Sequence, residues 1–133
     1  MKLIEELTKE HSEITETLNK IKGLGSSSEK GKKLLFSLKS ALLEHLKKED
    51  EQLYPVLNNA AKKDFHLQET LNTFAIDMEK ISTTAMQFFD KYSIDTHIHQ
   101  DFSYDFGTLF AMLSQRINRE EKYIYPSYEE LQK

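Results

Sequence analysis

His45-Leu46-Lys47-Lys48-Glu49-Asp50-Glu51-Gln52-Leu53-Tyr54-Pro55 and Arg116-Ile117-Asn118-Arg119-Glu120-Glu121-Lys122-Tyr123-Ile124-Tyr125-Pro126, 71 residues apart, are two versions of one pattern. In each, a basic-type residue precedes a glutamate by four positions, a second acid follows, and a Tyr-Pro closes the run. A step of four keeps two side chains on one helix face. Working outward, Leu34, Leu35, Leu38 and Leu42 lead into the first run at helical spacing. Ile98, Phe102, Phe106, Leu109 and Leu113 lead into the second. Two further stripes have the same period: Ile4, Leu7, His11, Ile14, Leu18, Ile21, and Leu67, Leu71, Phe74, Met78, Ile81, Ala85, Phe88, Tyr92. Gly23-Leu24-Gly25-Ser26-Ser27-Ser28 reads as a flexible connection, and Pro55 and Pro126 read as helix stops. Four helices with short connections predict an all-α, up-down-up-down antiparallel four-helix bundle. It forms a single domain over 1–133, built as two hairpin repeats, 1–55 and 67–126, for which duplication is the favoured explanation.

Composition narrows the function. The 133 residues contain 18 Lys+Arg and 22 Asp+Glu, a formal charge of −4. That balance predicts no nucleic-acid partner, which would call for a basic face. Cysteine is absent, which excludes disulfides, thiolate metal sites and cysteine nucleophiles. Gly23 and Gly25 form a Gly-x-Gly, but position 28 is Ser and no Gly-Lys-Ser/Thr follows, so a phosphate-cradling loop is excluded. Met1-Lys2-Leu3-Ile4-Glu5-Glu6 lacks the apolar run of a signal peptide, and no stretch is long and apolar enough to span a membrane. A cytoplasmic protein without membrane association is expected.

The core stripes contain polar residues. His11, His45, Glu49, Arg116 and Glu120 all fall where a bundle requires apolar side chains. A buried carboxylate or guanidinium must be paired or must bind a metal. His45 and Glu49, at i and i+4, can reach a common ion, and an imidazole with a carboxylate suits iron, manganese or zinc.

With those residues in place, the chain resembles the hemerythrin-like, or HHE cation-binding, domains over nearly its whole length. The resemblance implies a four-helix bundle around a non-haem di-iron centre, and functions in oxygen binding, in oxygen, redox or nitric-oxide sensing, or in repair of iron centres. It implies that His11 is the ligand of helix one, His45 and Glu49 those of helix two, and Glu120 the glutamate of helix four. Two positions depart from the family pattern: Met78 stands where the third-helix histidine is expected, and Arg116 where the fourth-helix histidine is expected. A guanidinium is a fixed cation. A dication about 4 Å away is repelled by about 8 kcal/mol at an effective dielectric of about 20. Between Glu49 and Glu120 its fork suits the carboxylates instead. The alternative is Arg116 turned to solvent with Asn118 and Arg119.

The expected function is therefore a non-enzymatic binding or regulatory module built on a degenerate di-iron site, with no catalytic residues. The alternative is a reduced iron site that still binds or senses oxygen or nitric oxide. The partner is then a gaseous ligand or another protein, and the only cofactor implied is non-haem iron. A histidine phosphotransfer domain is the remote third reading, because His45-Leu46-Lys47-Lys48 fits part of its motif but Glu49 replaces the glycine. His97 and His99 read as solvated residues at a helix start, His66 as a partnerless loop residue, and the later phenylalanines as compensating core.

Overall fold

The computed structural model describes residues 2–24, 29–92 and 102–133. Ile98, His97 and His99 lie outside them. The described residues form helices α1 (Lys2–Leu24), α2 (Glu29–Lys48), α3 (Tyr54–Ala61), α4 (Phe65–Tyr92), α5 (Phe102–Arg119) and α6 (Tyr125–Leu131). π-helical turns at Glu49–Leu53 and Glu120–Ile124 join α2 to α3 and α5 to α6. Two rods are thus single helices and two are composite, giving an antiparallel four-helix bundle with no strand among the described residues.

The prolines do not stop the helices as expected. The backbone N–H of Tyr54 bonds to Glu49 O, and that of Tyr125 to Glu120 O, each five residues back instead of four. Proline has no N–H and its ring crowds the carbonyl four residues earlier. The widened turn makes room for it, and the rod runs on for another two turns. After Ala61 the reversal is tight: Asp64 caps α4 by accepting the Leu67 N–H at 3.1 Å.

The stripes pack as two apolar blocks. One joins Ile14, Leu18, Leu38, Leu42, Ile81, Phe88, Phe106 and Leu109. The other joins Ile4, Leu7, Leu53, Leu57, Leu71, Phe74, Ile124 and Tyr125. Aromatic residues fill the α4–α5 seam, with Phe102 and Phe106 stacked at 5.6 Å and Phe88 edge-on to Phe89 at 5.5 Å. His66 is exposed. The buried polar residues are His11, His45, Glu49, Arg116 and Glu120. By position along their rods they form a layer between the two blocks.

Candidate metal centre

Each member of the layer occupies a stripe position of its own helix, so burial of the flanking leucines and isoleucines carries it inward. His11 comes from α1 and His45 from α2. Glu49 opens the first π-turn, Arg116 lies in the last turn of α5, and Glu120 opens the second π-turn. His11, His45, Glu49 and Glu120 each bring one ligand-type atom within 4.8 Å of the others. This His/Glu group is able to hold a metal ion.

The two carboxylates are split between opposite sides. Glu49 Oε1 accepts from Arg116 Nη2 at 3.2 Å, while Glu49 Oε2 lies 3.3 Å from His45 Nε2. Glu120 Oε2 lies 3.7 Å from Arg116 Nη2, while Glu120 Oε1 lies 3.1 Å from His11 Nε2. One oxygen of each glutamate therefore faces the guanidinium, and the other faces the imidazole pair.

Outer groups orient the rings. The Nδ1–H of His11 donates to Glu121 Oε2 at 2.8 Å, and the Nδ1–H of His45 to Glu10 Oε1 at 2.7 Å. Lys48 in turn donates to Glu10. A carboxylate on Nδ1 fixes the tautomer that turns Nε2 toward the centre. His45 Nε2 is the only fully buried side-chain nitrogen or oxygen without a hydrogen-bond partner among the described residues. Two tyrosines close the layer. Tyr54 Oη donates to Glu120 Oε2 and Tyr125 Oη to Glu49 Oε2, both at 2.7 Å, and Tyr125 Oη also lies 3.0 Å from His11 Nε2.

Burial would raise the Glu49 carboxyl, but His45, Glu120 and Arg116 outweigh it and hold the group down at about 2. For Glu120 burial prevails, helped by the like charge of Glu49, and its carboxyl lies above the usual range. Burial would lower His45, yet Glu49, Glu10 and Glu120 around it raise the imidazole above its ordinary value. Burial likewise opposes the charge on Arg116, but Glu120 and Glu49 more than restore it. Burial beside two carboxylates drives both tyrosines well above the phenol range, so they remain donors.

The family model for the hemerythrin HHE cation-binding domain matches residues 2–128. The chain belongs to the hemerythrin family. None of the curated proteins and none of the solved structures gives a match. No helix among the described residues is long and apolar enough to cross a membrane.

Four residues of this hemerythrin-family centre escape a reading of the stripes: Glu10, Glu121, Tyr54 and Tyr125. Glu10 directly precedes His11 and Glu121 directly follows Glu120, so their signal is an acid adjacent to a stripe position. The tyrosines are visible only as part of the repeated Tyr-Pro. Met78 is half-buried on α4, and Asp77 beside it pairs with Arg119.

Proposed function

We propose that this hemerythrin-family chain is a non-enzymatic binding or regulatory module whose centre holds one divalent metal ion instead of two. The split of the two carboxylates carries the reading. In a dinuclear centre two bridging glutamates give one oxygen to each metal, and here the oxygens on one side are given to a guanidinium. The donor set does not fit a di-iron pair, because a second dication would sit against Arg116 with a thioether, Met78, in place of an imidazole. It does fit one ion, with His11, His45, Glu49 and Glu120 as its ligands. Orphaned His45 Nε2 and the carboxylates behind both rings support this assignment. Such an ion supplies a Lewis-acidic, His/carboxylate centre of the kind that suits iron and also manganese or zinc. Binding or sensing of a diatomic gas belongs to this same reading.

A second reading, an ionic cluster without metal, is favoured by Tyr125, whose hydroxyl already bridges Glu49 and the His11 ring. Phosphotransfer is disfavoured, since His45 is buried and its Nδ1 is engaged by Glu10. The discriminating experiment is anaerobic loading with ferrous ion, followed by elemental analysis and a visible spectrum. One ion per chain without oxo-bridged di-iron absorption is expected. Two ions with that absorption would overturn the proposal, and none would establish the metal-free cluster.

A further inference from the structure

Between the second rod and α4 lies a cleft of about 330 Å³. Its floor is Leu71, Phe74 and Arg116, all buried, and Leu46 and Met78 form half-buried walls. Both positions that depart from the family's ligand pattern, Met78 and Arg116, thus line one hollow. The volume is at the lower end of small-molecule sites, which are mostly apolar with a few polar groups at fixed places.

Arg116 supplies the polar group. Among the described residues only its Nη2 has a hydrogen-bond acceptor, Glu49. None of its other nitrogens is among the sealed, unpartnered atoms of the core. They are therefore not wholly sealed, and Arg116 is one of the residues that line the cleft. Charge selects the ligand further. Asp50 and Glu79 stand at the rim, and Glu49 and Glu120 lie against the guanidinium. An anion meets acids at the entrance and behind the floor, and a cation meets the guanidinium. A neutral molecule meets neither penalty.

We infer that this cleft is a binding site for a small neutral molecule with an apolar body and one carbonyl-type acceptor, the acceptor on Arg116 and the body against Leu71, Phe74 and Met78.

Chelator-treated protein labelled with ¹³C at the methionine methyls is titrated with acetophenone, ethylbenzene, benzoate and benzylamine. The Met78 resonance is assigned by its loss in Met78→Leu. Acetophenone is expected to move the Met78 signal saturably. Its affinity should exceed that of either charged probe by about tenfold or more, and that of ethylbenzene by several-fold, because only it has both an apolar ring and a neutral acceptor. In Ala75→Phe, which places a ring at an exposed position of the cleft lining, the acetophenone shift should vanish while the circular dichroism stays helical. An unmoved Met78 signal at millimolar acetophenone would overturn the inference. So would benzoate binding as well as acetophenone, or undiminished binding by a folded Ala75→Phe protein.

Discussion

Replacing Arg116 with methionine keeps most of the side-chain volume and removes the one fixed cation of the polar layer. Glu49 is fully buried and Arg116 nearly so. At 3.2 Å their gross attraction is about 5 kcal/mol at an effective dielectric of about 20. Part of that is returned because the variant no longer buries a guanidinium, and His45 still faces Glu49. Breaking a buried pair by removing one partner typically costs about 3–5 kcal/mol, and that is the expected loss at pH 7. The loss should depend on pH with a definite sign. In the parent, the Glu49 pKa is depressed from 4.5 to about 2, so its contribution is complete above about 4.5 and disappears as pH falls through about 2. In Arg116→Met, the stranded carboxylate gains relief by protonation. With an unfolded value of 4.5, that relief costs about 3.4 kcal/mol at pH 7 but only about 0.7 kcal/mol at pH 5. The stability gap between parent and variant should therefore narrow as pH falls from 7 to 5. Urea unfolding followed by circular dichroism, with chelator present throughout, measures both quantities. A gap below about 1 kcal/mol at pH 7, or one that does not change with pH, would refute the pairing as the reason for the arginine.

Tyr125→Phe removes a hydrogen bond to a charged, buried acceptor and should cost about 1.5–3 kcal/mol in the same unfolding assay. Glu10→Gln and Glu121→Gln weaken the carboxylates behind His45 and His11. Each should lower affinity for the proposed single ion by about 10–100-fold in a calorimetric titration, whereas Glu13→Gln on the exposed face of α1 should leave it unchanged. Met78→His combined with Arg116→His should raise ferrous uptake to two ions per chain by elemental analysis. Met78→His alone should not, because Arg116 still holds the far oxygens of both glutamates.

The helix count, the pairing of helices and the polar layer could all be read from apolar spacing, because α1, α2, α4 and α5 keep their 3.6-residue period right up to His11, His45, Met78 and Arg116. The tyrosines could not. In an α-helix a residue five positions on lies about 140° around the axis, so Tyr54 and Tyr125 fall off the stripes of Glu49 and Glu120. The π-turns absorb that angle and return both hydroxyls to the layer. The same turns carry both rods past Pro55 and Pro126, which by sequence alone read as stops. The partners Glu10 and Glu121 are equally invisible to periodicity, since they flank the core stripe and reach inward by side-chain length. His97 and His99, read as solvated, lie outside the described residues.

The position of the polar layer between two apolar blocks has a consequence for how the rods find their axial setting. Leucine and isoleucine faces are close to interchangeable, and a bundle made only of them can slide by one helical turn, about 5.4 Å, with modest loss. Here such a slip would press Glu49 against leucine, separate Arg116 from both carboxylates and strand two imidazoles. Every mis-set packing would then contain at least one desolvated, unpaired charge, and a single alignment of all four rods avoids that. The layer works as a key cut at one height, which admits the bundle to one register whether the ion or the guanidinium turns it.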